Sequence, residues 1–174
     1  MNYFEFYNIP ISFQLDQAEL KRIFYANSKK YHPDFYTLES EEKQAEILEL
    51  STLNNQAYKT LSDFDKRMKY ILDLKEILAE EGQNQLPQSF LMEMMDINEV
   101  LMELEFDFDA QKFEQAETEL KALETSLFKS IESIVESYDD NNSSDKELLA
   151  IKEYYLKKRY LLRIRENLSK FATR

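Results

Sequence analysis

One glycine and three prolines in 174 residues leave this chain almost no turn or bulge chemistry. Leu, Glu, Lys, Gln and Ala abound instead, and all favour helix. Together these predict an all-α protein of long helices joined by short loops. At 43% hydrophobic residues the chain can build the cores of one medium domain or two small ones.

The absence of cysteine removes disulfides, thiolate nucleophiles and the sulfur ligands of iron–sulfur clusters and most structural zinc sites. No cofactor is expected, and any metal traffic belongs to a partner. The opening "MNYFEFYNIP" lacks a basic region followed by an apolar core, and no later stretch has the ~18 apolar residues of a membrane span. A cytoplasmic protein without a membrane partner is expected. Its charge of −12 is uneven: residues 1–75 carry 10 Lys+Arg against 12 Asp+Glu, and the remainder 12 against 22. So acidic a chain is poorly suited to nucleic acid, whose binding rests on cationic contacts with phosphate.

Asp16 begins "DQAEL", with Glu19 placed to close a capping box. The helix that follows carries Leu20, Ile23, Phe24, Asn27 and Tyr31 on one face. Arg22 and Lys29 share the other, with Lys21 and Lys30 at its shoulders. Pro33 disfavours helical geometry at His32, so His32, Pro33 and Asp34 fall in a loop. Ser40 caps a second long helix whose stripe from Ile47 through Asn54, Ala57 and Leu61 predicts an antiparallel pair with the first. A third helix starts after Ser62 or Asp63, with Phe64, Met68, Ile71, Leu72 and Ile77 inward.

Periodicity stops near residues 80–89, where the glycine and the last proline lie together, and this predicts a linker. Beyond it, "FLMEMMDINEVLMEL", residues 109–138 and residues 144–172 read as three helices of an antiparallel bundle, the last opening with a Ser144/Glu147 capping box. The expected division is residues 1–75, a linking segment over 76–87, and the bundle over 88–174.

His32 is the chain's one histidine, and beside Asp34 it invites an enzymatic reading. A base needs something to activate, and neither a nucleophile nor a metal partner accompanies it. A basic helix ending beside an exposed aspartate suits docking better, and no enzyme activity is expected.

"YHPD" after that basic helix, followed by "NNQAYKTLSDFDKRMKY", resembles the J-domain of DnaJ-type co-chaperones. Asn55, Gln56, Ala57, Tyr58, Leu61, Asp63, Arg67 and Tyr70 sit at J-domain spacings. With "NYFEFYNIPISFQLD" at the start and "FLMEMMDINEVLMELE" after the linker, nearly the whole length resembles the HscB family of J-proteins, which serve iron–sulfur cluster biogenesis. The glycine-rich and zinc-binding segments of general J-proteins are missing.

The resemblance implies a J-domain, an antiparallel helical hairpin with flanking helices, followed by a three-helix bundle. It implies that His32, Pro33, Asp34, Arg22, Lys29 and Lys30 contact an HscA- or DnaK-type chaperone ATPase. It further implies that Leu91, Met92, Met95, Asp96, Glu99, Glu103 and Tyr155 form a surface for the cluster scaffold IscU. Tyr155 falls near a family phenylalanine and Met95 replaces a family leucine, both keeping apolar character.

Three other signals read as structural. "DDNNSSDKELLA" from Asp139 has Ser144 and Ala150 where a calcium loop needs Gly and Glu, so it reads as a polar turn. "KKRYLLRIR", residues 157–165, is expected to pair with neighbouring carboxylates. "ESEEKQAEILE" reads as a helix with a solvated side. The expected function is a non-enzymatic co-chaperone that stimulates a partner's ATP hydrolysis. A J-protein with another client, and a phosphate or RNA binder using the basic stripes, are the alternatives.

Overall fold

The structure is a computed structural model and describes residues 1–172; positions 173 and 174, the end of the expected bundle segment, lie outside the described residues. Among the described residues all regular structure is helical, as composition required: α1 (Tyr3–Tyr7), α2 (Gln17–Lys30), a 3-10 turn (Pro33–Tyr36), α3 (Glu41–Leu61), α4 (Phe64–Leu74), α5 (Gln88–Phe106), α6 (Ala110–Lys129), α7 (Glu132–Ser137) and α8 (Asp145–Ser169). No helix among them is long and apolar enough to cross a membrane. By packing the chain forms two units, one of Met1–Lys75 with Tyr138–Ser143, the other of Glu76–Ser137 with Ser144 onward.

In the first unit α2 packs along α3, and α1, α4 and the 3-10 turn lean on α3. Local signals set these helices. Asp16 accepts the N–H groups of Ala18 and Glu19, Ser40 that of Lys43, and Asp63 that of Lys66. Each satisfies a donor the first turn leaves open. Phe4, Phe13, Leu20, Leu61, Met68, Ile71 and Leu72 are fully buried between the helices.

Two polar side chains join that core with partners. Asn54 donates to Phe24 O and Ser28 Oγ, each at 3.1 Å, and accepts the Tyr7 hydroxyl at 3.0 Å, linking α1, α2 and α3. Arg67 donates from Nε to Phe13 O at 2.9 Å and from a terminal nitrogen to Leu61 O. Burial lowers its basicity, against the pull of nearby Asp63.

The segment Tyr138–Ser143 completes this unit. The Tyr138 ring meets Phe13 edge-on with centroids 4.8 Å apart, and Asp140 pairs with Lys75 at 2.5 Å. Within the turn, Asp139 accepts the Asn141 N–H and the Asn142 amide, and these bonds hold its carboxyl below the usual range.

The second unit is a three-helix bundle of α5, α6 and α8, with α7 against α6 and α8. The link Asp107–Asp109 is too short for anything but antiparallel neighbours. Phe90, Met94, Ile97, Leu101 and Leu104 of α5 meet Ala116 and Leu120 of α6 and Leu161, Ile164 and Leu168 of α8. Asn98 donates to the Tyr160 hydroxyl at 2.8 Å at the margin of this core. Ser144 and Glu147 form the expected capping box.

Three local expectations are corrected, and one helix was not anticipated. The aromatic opening forms a helix of its own, α1, capped by an Asn2/Glu5 box and ended by Asn8 at φ 54°. Glu19 does not close its box, because Arg22 takes its carboxylate. Ile77 lies past the end of α4, where Glu76 turns to φ 55°. Residues 109–138 are two helices rather than one. The Ser130 hydroxyl takes the Leu127 carbonyl and Ile131 tightens to Phe128 O, so the ladder breaks before α7.

Candidate functional site

Each unit carries a surface on which exposed apolar and charged side chains lie together. In the first it is the loop after α2. Pro33 forces His32 to an extended conformation (φ −73°, ψ 122°) and itself occupies the first position of the 3-10 turn. His32 caps that turn, Nδ1 accepting the Asp34 N–H at 3.3 Å. Nδ1 therefore acts as the acceptor, and in the neutral ring Nε2 carries the hydrogen. The Tyr36 hydroxyl donates to Lys30 O at 2.7 Å, occupying a carbonyl the end of α2 leaves open.

The Asp34 side chain is 82% exposed, with one oxygen 3.7 Å from His32 Nδ1. Lys29 and Lys30 stand on the exposed end of α2 with no carboxylate in salt-bridge range among the described residues. Arg22 differs. Glu19 grips its guanidinium with two bonds of 2.9 and 2.6 Å, raising its basicity, so a partner would have to share or displace that carboxylate. Exposed Tyr25, Phe35 and Leu38 add apolar surface to the same region. Sequence reasoning weighed the charges there and passed over these three, although Phe35 and Leu38 closely follow the histidine.

In the second unit the surface is the outer side of α5. Leu91, Met92 and Met95 are 40%, 63% and 64% exposed, whereas Phe90 and Met94 point into the bundle. Met102 and Phe106, unassigned from the sequence, continue the face at 66% and 95% exposure. At about 100° per residue, Leu91, Met102, Met95, Phe106 and Met92 lie in that order across roughly 100° of arc. Glu99 falls within that arc, and Glu103 and Asp96 follow on the Met92 side. Lys112 holds Glu103 at 2.7 Å, while Asp96 and Glu99 have no cation in salt-bridge range among the described residues.

The surface is thus an apolar strip with an acidic edge, suited to a partner patch that is apolar and bordered by Lys or Arg. Met102 and Phe106 were legible in principle, because the spacing 95, 99, 102, 106 extends the same helical face. Tyr155 is placed elsewhere. It is 7% exposed on α8, with the Arg159 guanidinium 5.8 Å above its ring, so its side chain is not on the open strip.

Comparison with known proteins places these features in context. Residues 86–169 match the family model described as HSCB C-terminal oligomerisation domain. A co-chaperone protein HscB homolog of Vibrio cholerae is 40% identical over 103 residues, 58% of this chain and 60% of that protein. The co-chaperone protein HscB of Proteus mirabilis is 32% identical over 112 residues, 64% of this chain and 65% of that one. The matched segments thus span roughly three-fifths of these relatives' length. The chaperone HscB structure from Vibrio cholerae superposes with a TM-score of 0.72 at 25% identity, covering 99% of this chain and 98% of that one. The crystal structure of the human co-chaperone protein HscB gives 0.75 at 28% identity, covering 97% and 81%.

Proposed function

We propose that this chain, which is similar to the HscB co-chaperones in sequence and fold, shares their role: it presents an IscU-type iron–sulfur scaffold to an HscA- or DnaK-type chaperone and stimulates that chaperone's ATP hydrolysis. It acts in the cytoplasm by binding alone and performs no chemistry itself. The observation that carries the reading is one chain holding both an exposed Asp34 beside a proline-fixed turn and an apolar, acid-edged face on α5.

Lys29 and Lys30, with Arg22 released from Glu19, steer the first unit onto an acidic surface of the ATPase, since complementary charge raises encounter rates and sets orientation. Asp34 then acts at short range. Its carboxylate competes for an arginine at the ATPase's interdomain contacts and shifts that protein toward the conformation that hydrolyses ATP. His32 and Pro33 hold the turn that presents it. The scaffold docks on Leu91, Met92 and Met95, with Asp96, Glu99 and Glu103 fixing its register.

Steady-state ATPase measurement on candidate chaperones, with and without this protein and the scaffold, tests the proposal. Stimulation by this chain, increased further by scaffold, is expected. No stimulation of any such chaperone sinks the ATPase half, and no association with scaffold sinks the client half.

A further inference from the structure

With no cysteine in the chain, its six methionines hold all of its sulfur. The fold sorts them sharply. Met68 and Met94 are sealed in cores at 1% and 0% exposure, while Met92, Met95 and Met102 stand together on the open face of α5. Met1, at the terminus, is the other exposed one.

An exposed thioether reacts with peroxides. A sulfur lone pair attacks one peroxide oxygen, the S–O bond forms and the O–O bond breaks, and the departing hydroxide leaves as water after proton transfer from the transferred OH. The thioether is oxidised by two electrons to the sulfoxide, and the peroxide is reduced by two. The product places a strong hydrogen-bond acceptor where a flexible apolar side chain had been.

The acidic edge of the strip offers that acceptor no donor. Asp96, Glu99 and Glu103 border the strip, and ionised carboxylates only accept hydrogen bonds. A sulfoxide here is hydrated on the open face, and docking a partner's apolar patch over it strips that water away.

We infer that Met92, Met95 and Met102 form a peroxide-responsive modification site that releases the scaffold when oxidised. The inference rests on the reading of the α5 face as the client surface. All three side chains are open on one helix, which also leaves their sulfoxides accessible to a reductase that restores binding.

The test treats the full chain with hydrogen peroxide to a dose at which peptide mass spectrometry finds Met92, Met95 and Met102 oxidised and Met68 and Met94 intact. Catalase then removes the peroxide before untreated IscU-type scaffold is added, so only this chain has met the oxidant. Affinity for the scaffold should fall by at least about tenfold with an unchanged melting temperature, and methionine sulfoxide reductase should restore it. The variant M92L/M95L/M102L, read against its own affinity before treatment, should show no loss through the same treatment. Affinity within about twofold of the untreated chain after oxidation, or an equal loss in the leucine variant, overturns the inference and leaves the client surface standing. Failure of the untreated wild-type chain to bind scaffold removes the client reading itself, and this inference with it.

Discussion

His32 Nδ1 accepts the backbone N–H of Asp34 at 3.3 Å, and the Asp34 carboxylate returns to 3.7 Å from the same nitrogen. One residue shapes the turn through the backbone; the other leaves its charge in water. Under the proposed function the first position serves the fold and the second the partner, and substitutions can test it.

Asp34→Asn keeps the shape of an exposed side chain and removes its charge. Stability should change by less than about 0.5 kcal/mol, as for surface substitutions generally. Stimulation of the chaperone's ATPase should be lost. A variant that melts like the wild type and still stimulates at the wild-type level contradicts the proposed role of Asp34.

Leu91→Ala with Met92→Ala separates interface from core. Two buried positions truncated together would cost about 4 kcal/mol or more. Their exposure points to a melting temperature close to wild type, with scaffold binding weakened by roughly 2 kcal/mol or more. Calorimetric melts and a scaffold titration on the same preparation read both quantities. A large fall in melting temperature would return the strip to the core.

The Tyr7 phenol is pushed above its ordinary pKa, first by burial and then by the neighbouring Tyr58. Because its folded pKa exceeds the unfolded value near 10, the stability it contributes is complete below that value and is lost as pH rises through the folded one. Tyr7→Phe should therefore flatten the alkaline loss of stability, leaving the part due to Tyr70, which burial also raises. At neutral pH the same variant should cost about 1–2 kcal/mol, since Asn54 Oδ1 loses its donor. Chemical denaturation across pH 7–11, compared with wild type, checks both signs.

Arg165 and Glu124 make two hydrogen bonds, of 2.9 and 2.6 Å, across the bundle surface. The pair is partly exposed, so Glu124→Gln should cost no more than about 1 kcal/mol. Lys157 pairs likewise with Glu153, and RNA binding at low salt should be negligible. A measurable affinity that falls steeply with added salt would revive the nucleic-acid alternative.

What could be read from the sequence was what is decided locally. Asp16, Ser40, Asp63 and Ser144 cap the helices they precede, Pro33 ends α2, and Gly82 takes φ 84° between α4 and α5. What escaped depends on partners distant in sequence. Arg67 looks like a surface residue until the carbonyls of Phe13 and Leu61 are brought to it. Asn54 belongs to an apolar stripe only because Tyr7, Phe24 and Ser28 complete its hydrogen bonds. The break at Ser130 leaves no proline or glycine to announce it. On α5 a run of Leu and Met looks alike on all sides, and only the positions of α6 and α8 decide that Met94 is inside and Met95 outside.

The turn at Tyr138–Ser143 sets an order of events during synthesis. When the first 75 residues leave the ribosome, Phe13 still lacks the edge of Tyr138 and Lys75 still lacks Asp140. The segment that completes their packing is translated only after α5, α6 and α7. The part of the chain made first is therefore finished late, and a nascent chain arrested before residue 138 carries its His32–Asp34 loop on an incompletely closed unit.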